Sequence, residues 1–181
     1  MTSTLRAVDG HTEATSAKHF ALVLIALATG GFAVGTSEFV AMGLLPQLAR
    51  GVGVSEPVAG HAISMYAIGV VIGAPLIAMI GSRWPRRAVL MGLMVLLTVG
   101  NVATALAGSY EDLLAARFVS GLPHGAYFGV ASLVAAELAP PGKKAKAVAT
   151  VMLGLSVANL LGVPAATWLG QSLGWSSAFW L

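Results

Sequence analysis

The sequence contains no cysteine and very little charge. Without cysteine the chain can form neither a disulfide bond nor a thiolate metal site. Only 9% of its 181 residues are charged, whereas 57% are hydrophobic. A water-soluble domain usually carries about 25% charged residues, so this chain could not cover a water-exposed surface. The composition therefore predicts a membrane protein.

The sequence motifs of soluble enzymes are absent as well. The chain has no Gly-Lys-Ser/Thr phosphate loop, no cluster of metal-ligating residues and no Gly-x-Ser-x-Gly nucleophile elbow. We therefore predict no enzymatic activity, no cofactor and no metal site. An ATP-driven transporter could keep its ATPase on another chain, so these absences argue only against an enzyme.

Long apolar runs are what the sequence does contain. Roughly 20 apolar residues are needed for a helix to cross a bilayer, and the backbone in lipid must satisfy its own hydrogen bonds. Membrane β-strands would be about 10 residues long with alternating polarity, which these runs are not. The sequence therefore predicts an all-α, polytopic transmembrane helix bundle with spans at about 20–45, 57–80, 88–108, 113–136 and 147–169.

The two ends of the sequence differ from these spans. Residues 1–19 are polar and low in complexity, and we predict a disordered cytoplasmic tail. A sixth apolar run begins at Trp175 and reaches Leu181, which is too short to cross a bilayer. We therefore expect the chain to be cut off inside a sixth span.

The basic residues predict the orientation. Eight of the ten Lys and Arg residues fall in the tail and in the connectors after spans 2 and 4, whereas the opposite side has only Arg50. Because cytoplasmic loops are enriched in Lys and Arg, the N-terminus should be cytoplasmic. This topology also explains the net charge of +3, so a nucleic-acid partner is unnecessary.

Two charged side chains, Glu38 and Arg117, lie well inside predicted spans. A charge near the bilayer centre costs at least about 2.5–3.5 kcal/mol, so such residues usually pair or line a water-filled path. Both lie roughly 6–11 Å below the outer ends of their helices at 1.5 Å per residue, so a pair is geometrically possible. Glu38 is then either a proton-titrating carboxyl group or a structural anchor near the interface.

Other polar side chains within the spans could face a cavity. His124 follows Arg117 by two helical turns and lies on nearly the same face. It is either a hydrogen-bonded packing residue or a proton carrier or substrate contact. The remaining candidates of this kind are Tyr66, Asn101, Tyr127 and Asn159.

The connector after span 2 carries a motif typical of a known family. From Pro75 onward the chain approximates P-L-x-G-x-L-x-D-R-x-G-R-R, with Arg83, Arg86 and Arg87 at the basic positions. Ser82 stands where the motif has Asp. Span 4 fits L-x-x-x-R-x-x-x-G, and span 5 partly fits G-x-x-x-G-P-x-x-G-G. Their matching residues are Leu113, Arg117 and Gly121 in span 4, and Gly162 and Pro164 in span 5.

In order and spacing, these motifs resemble the major facilitator superfamily, specifically its drug:proton antiporter group with twelve spans. The resemblance covers residues 20–181 and implies the N-terminal half of that fold, with five spans plus the start of a sixth. It implies proton coupling by Glu38 and Arg117, and a substrate cavity that includes His124, Tyr127 and Asn159. It also implies a conformational loop, in which the replacement of Asp by Ser82 alters a charge latch between the two halves, and an antiporter-like motif at Gly162 and Pro164.

The resemblance implies a secondary active transporter of the bacterial inner membrane. It would couple to protons and export a drug, a sugar or another small amphiphile by alternating access. Its partners would be the lipid bilayer, the small-molecule substrate and a missing C-terminal half. The alternative that the sequence leaves open is a truncated, non-transporting membrane protein or an assembly partner.

Overall fold

The computed structural model describes the backbone of residues 2–180 and the side chains of residues 18–180. Every regular element in that part of the chain is helical. A π-helical turn, Ala158–Gly162, joins α7 to α8, and a 3₁₀ turn covers Trp175–Phe179. The α-helices are α1 Thr2–Gly43, α2 Leu45–Val52, α3 Glu56–Ala59, α4 His61–Gly81, α5 Arg86–Ala105, α6 Tyr110–Leu138, α7 Lys144–Val157 and α8 Val163–Leu173.

Five helical segments of the described chain are long and apolar enough to cross a membrane. They lie within a few residues of the predicted spans, and the predicted all-α bundle of transmembrane helices is confirmed. The segments are Lys18–Gly43, Glu56–Gly81, Arg86–Ala105, Tyr110–Leu138 and Lys144–Leu173.

The first helix is longer at its N-terminal side than the sequence predicts. Its backbone is helical from Thr2, where we expected a disordered tail over residues 1–19. No proline occurs before Pro46, so nothing in the sequence forces the helix to begin later. The side chains of residues 2–17 lie outside the described part, and the cytoplasmic placement of the tail stays a prediction.

Proline and glycine determine where several helices end or bend. Pro46 cannot donate a backbone hydrogen bond, and α1 ends at Gly43, two residues before the predicted end of span 1. The short helix α2 then stops at Gly53, whose φ of 73° is the left-handed conformation that glycine adopts readily. Pro164 likewise follows the π-helical turn that interrupts the fifth span, as expected where the regular hydrogen-bond ladder loses a donor.

Helix α6 is the centre of the bundle, with α4 and α5 packed along it, while α1 packs mainly on α7. Two apolar cores fill the space between these helices, one around Tyr127 and Val151 and the other around Leu44 and Leu113. On both α1 and α6, the stretch of helix between the two cores carries polar residues. That polar stretch contains the candidate site.

Large apolar side chains cover the outside of the bundle. A soluble protein rarely exposes a continuous surface of this kind, whereas a helix facing lipid must. The most exposed of these side chains include Leu22, Val71, Met79, Val95, Leu160 and Trp168. The outer surface therefore fits a lipid bilayer.

Candidate functional site

Arg117 is completely buried, lies two turns into α6 and binds α1. Its Nη1 donates to the main-chain carbonyl of Ser37 at 3.0 Å, and its Nη2 donates to that of Glu38 at 3.3 Å. Spans 1 and 4 therefore touch at the two charged residues that the sequence singled out. The contact differs from the predicted ion pair, because the guanidinium holds the backbone of Glu38 and not its carboxylate.

Aromatic rings surround the rest of the guanidinium. The Cζ atom of Arg117 lies 4.4 Å from the centroid of the Tyr66 ring and 5.7 Å from that of Phe179. A cation over an aromatic face is stabilised by the ring's quadrupole, by about 2 kcal/mol or more when it is desolvated. Within the described chain, the Nε atom of Arg117 has no hydrogen-bond partner and no carboxylate lies within 4.0 Å. Two carbonyls and two rings thus stabilise this buried charge.

The carboxylate of Glu38 turns toward His124. Its Oε2 atom lies 3.6 Å from Nδ1 of His124, and the same Nδ1 lies 3.2 Å from the hydroxyl of Tyr66. The two side chains are unequally enclosed, with 27% of Glu38 and 14% of His124 exposed. Glu38, Tyr66, Arg117 and His124 form one connected group, which we call the buried polar cluster.

A cavity of about 490 Å³ opens beside this cluster, between α1, α5, α8 and the 3₁₀ turn. Ser37 connects this cavity to the buried polar cluster. Its carbonyl accepts from Arg117 of the cluster, and its hydroxyl donates to Oδ1 of Asn101 in the cavity wall at 2.6 Å. The polar part of the cavity lining consists of hydroxyl and amide groups, and the apolar part includes several aromatic rings. The lining residues include Thr29, Thr36, Ser37, Thr98 and Asn101, together with Phe32, Phe179 and Trp180.

Tyr127 is not among the residues that line this cavity, and the substrate contact predicted for it stays a prediction. It is buried in the contact between α6 and α1, where its hydroxyl donates to the carbonyl of Leu27 at 2.8 Å. Gly30 makes room for the ring, because any side chain at that position would overlap it. Tyr127 therefore fastens two helices together.

Asn159 lies apart from the buried polar cluster. It is exposed within the π-helical turn, and its Nδ2 donates to the carbonyl of Leu155 at 3.0 Å. Its neighbour in the antiporter-like motif, Gly162, is buried and lines the cavity, whereas Pro164 is exposed. The substrate contact predicted for Asn159 stays a prediction.

The three arginines of the predicted conformational loop are exposed. Arg86 forms an ion pair with Glu137 at the end of α6. The connectors after spans 2 and 4 therefore lie at the same end of the bundle. The effect of these arginines on conformation stays a prediction.

Three residues are more closely tied to the site than their sequence pattern indicates. Tyr66 and Asn101 were only two among several polar positions within spans, and their hydrogen bonds to His124 and Ser37 depend on which helices are neighbours. Ser37 contributes a main-chain carbonyl to Arg117. No sequence pattern marks a carbonyl, because every residue has one.

A family model for the Major Facilitator Superfamily matches residues 27–181. Over 156 residues the chain is 53% identical to the inner membrane transport protein YdhP of Escherichia coli (strain K12), a match that covers 86% of this chain and 40% of that protein. It is 38% identical over 159 residues to the chloramphenicol resistance protein of Streptomyces lividans, covering 88% of this chain and 41% of that protein. The chain thus spans about two fifths of the length of these relatives.

A solved structure supports the fold. The proton:xylose symporter XylE superposes with a TM-score of 0.79 at 21% sequence identity, over 91% of this chain and 41% of that one. At this identity the likeness concerns the fold alone.

Proposed function

Because the chain belongs to the Major Facilitator Superfamily, we propose that the protein containing it exports a small amphiphilic molecule across the membrane in exchange for protons. In this proposal Glu38 carries the proton. Arg117 keeps α1 against α6 and supplies the positive charge that the ionised carboxylate faces. In the orientation that we propose from the distribution of Lys and Arg, the N-terminus lies in the cytoplasm.

One observation carries the proposal: the guanidinium of Arg117 binds the backbone carbonyl of Glu38 and not its carboxylate. A carboxylate held in a bidentate ion pair is fixed in its ionised form, and such a group would not readily exchange protons. Here the carboxylate lies near a buried positive charge, is not covered by it, and remains 27% exposed. Water can therefore reach the carboxyl group.

Protonation of Glu38 would change how α1 and α6 attract each other. Although the ionised carboxylate turns toward His124, it still attracts the buried charge of Arg117 across a medium of low dielectric constant, where such attraction is much stronger than in water. Binding a proton removes that attraction. The two protonation states of Glu38 thus favour different arrangements of the helices, which is what coupling to alternating access requires.

The substrate class is proposed from the relatives. The printed name of the Streptomyces lividans relative is a chloramphenicol resistance protein, and export of the drug is one way in which a membrane transporter confers resistance. Chloramphenicol is therefore the first substrate to test.

Proton release from inside-out membrane vesicles tests the proposal directly. Vesicles containing the protein are acidified inside by respiration, and a pH-sensitive dye reports the gradient. Adding chloramphenicol should dissipate part of the gradient as protons leave in exchange for the drug. The variant Glu38→Gln should show no such response, whereas Glu111→Gln, an exposed carboxylate at the start of α6, should respond like the unchanged protein.

Two results would count against the proposal. Equal proton release by the Glu38→Gln variant would remove this residue from coupling. No response to chloramphenicol or to a panel of other amphiphiles, from a protein shown to be folded in the vesicles, would overturn proton-coupled export itself and favour a non-transporting role.

A further inference from the structure

One nitrogen atom of His124 lies between two oxygen atoms from two other helices. Nδ1 is 3.2 Å from the hydroxyl of Tyr66 on α4 and 3.6 Å from Oε2 of Glu38 on α1. The ring is held in place on both sides. It meets the Tyr66 ring edge-on at 5.9 Å and packs against Phe128 at 5.3 Å. His124 therefore has a defined orientation in which a single atom can exchange hydrogen-bond partners.

Few other charged groups act on this imidazole. Arg117 lies two turns earlier on α6, about 10 Å along the helix axis, and its Cζ atom lies over the face of the Tyr66 ring. From α5 and α7, the charged side chains are Arg86 and Arg87, and Lys144 and Lys146, all at the first turns of those helices. Glu137, which pairs with Arg86, lies 13 residues after His124, or about 20 Å along α6. Among the residues whose side chains the structure describes, Glu38 is thus the carboxylate that faces His124.

The three side chains together can hold and transfer one proton. A tyrosine hydroxyl both donates and accepts hydrogen bonds, a neutral imidazole nitrogen can do either depending on the tautomer, and a carboxyl group donates only when it is protonated. When Nδ1 has a free lone pair, the Tyr66 hydroxyl can donate to it. When Nδ1 carries a proton, that N–H can donate either to the carboxylate of Glu38 or to the hydroxyl oxygen of Tyr66.

Building on the proton-carrying role of Glu38 in the proposed function, we propose that His124 is the group with which Glu38 exchanges its proton, and that Tyr66 sets the tautomer of His124. In the step, the O–H bond of protonated Glu38 breaks and a new N–H bond forms at Nδ1. The products are a carboxylate and an imidazolium, so charge and protons balance. The hydroxyl of Tyr66 rotates from donor to acceptor.

The energetic setting supports this exchange. An isolated imidazolium or carboxylate is costly inside a membrane, but here the transfer creates both at once, 3.6 Å apart. Their mutual attraction offsets much of the cost of desolvating each. The π face of Tyr66 meanwhile remains against Arg117, which connects the exchanging pair to the contact between α1 and α6.

Nitrogen NMR of the 181-residue chain in lipid nanodiscs tests the proposal without requiring transport. The chain has four histidines, and ¹⁵N-histidine labelling with His124→Gln as the assignment control identifies the ring signals of His124. We expect these signals to respond to pH together with Glu38. In Glu38→Gln their midpoint should shift by at least about half a pH unit, because a facing charge has been removed.

His61 supplies a matched internal control. Its Nδ1 also lies against a tyrosine hydroxyl, that of Tyr110, at 2.6 Å, but among the described residues no carboxylate is within 4.0 Å of it. The His61 signals should therefore not change in Glu38→Gln. In Tyr66→Phe, the ratio of the two tautomers of His124 should change while its coupling to Glu38 persists.

The outcomes separate this proposal from the proposed function. Unchanged His124 signals in Glu38→Gln would overturn the exchange, even if the protein exports chloramphenicol. Coupled signals in a protein that releases no protons on drug addition would support the exchange and overturn the export. If both hold, the His124→Gln variant should still bind drug but lose the dependence of efflux on pH, an effect that a packing defect alone would not produce.

Discussion

At the scale of single residues, Arg117 makes contacts that only a guanidinium can make. Its two terminal nitrogens reach two carbonyls at once, and its flat surface lies over the ring of Tyr66. A lysine ammonium is a point charge and lacks both the pair of terminal nitrogens and the flat surface. Arg117→Lys should therefore leave a poorly satisfied buried charge, costing about 1–3 kcal/mol of stability.

Arg117→Met, unlike Arg117→Lys, should not lower the stability of the protein. Replacing a buried charge with an apolar group of similar volume is often neutral, or stabilising by about 1–4 kcal/mol. In detergent, the Met variant should melt no lower than the unchanged protein and the Lys variant clearly lower, while neither couples drug to protons. Arg50→Met, at the exposed end of α2, is the control. If the Met variant unfolds, Arg117 is primarily a structural clamp.

A substitution of Tyr127 can distinguish a structural role of this residue from a role in transport. Tyr127→Phe removes only the hydroxyl that donates to the carbonyl of Leu27, and we expect a loss of about 0.5–1.5 kcal/mol in stability. Because the side chain is buried between α6 and α1, drug-dependent proton release should remain unchanged once the amount of folded protein is accounted for. If Tyr127→Phe instead altered the range of drugs transported, that result would support the predicted substrate contact of Tyr127.

At the scale of helices, close packing of α4 on α6 depends on glycine. A Cβ atom at Gly73 would lie 2.6 Å from the Cα atom of Leu122, a distance that backbone cannot tolerate. Gly73→Ala should therefore force the helices apart at a cost of about 1–3 kcal/mol, measured as a lower melting temperature. Gly92→Ala on α5 is the control. A Cβ atom at Gly92 would have no described atom from outside its own helix within 4 Å, so this substitution should leave stability unchanged or raise it slightly.

The ion pair between Arg86 and Glu137 should contribute little energy, although it joins α5 to α6. Its side chains are 43% and 57% exposed, and exposed pairs are worth about 0–1 kcal/mol. A double-mutant cycle with Arg86→Ala and Glu137→Ala should give a coupling energy in that range. A coupling energy several times larger would show that the pair locks one conformation of the loop.

The existence of the helices could be predicted from the sequence, but their neighbours could not. Span 2 was expected at 57–80 and is found at Glu56–Gly81, because length and hydropathy alone determine what crosses a membrane. Glycine spacing was less informative. Gly121, Gly125 and Gly129 follow one another at four-residue intervals on α6. Gly121 contacts the backbone of Tyr66, yet no described atom outside the helix itself would meet a Cβ atom at Gly129. The spacing marks a face that could be packed, and the tertiary fold decides where it is packed.

The candidate site, too, could be predicted from the sequence only in part. Glu38, Arg117 and His124 could be identified because a charged or titratable side chain inside a span is costly and therefore rare. The direction of each contact could not be predicted. That Arg117 binds the carbonyl of Glu38, and that Tyr127 binds the carbonyl of Leu27, depends on helix rotations that composition does not encode.

At the scale of the whole molecule, the contacts define two ends. Arg86 and Glu137 meet at one end, which carries the connectors rich in arginine and lysine. His61 and Tyr110 meet at the other, where Trp175 also packs over Gly51. If positive charge marks the cytoplasmic side, the first end lies in the cytoplasm and the second faces outward.

Because the chain has no cysteine, single cysteines can test this orientation without background. Ser55→Cys and Ser82→Cys are identical exchanges at exposed positions of the two ends. On intact cells, a membrane-impermeant maleimide should label the cysteine at position 55 and reach that at position 82 only after permeabilisation. The reverse pattern would place the arginine connectors outside. Protons entering the carboxyl group of Glu38 would then have to come from the other side of the membrane, which would reverse the proposed direction of exchange.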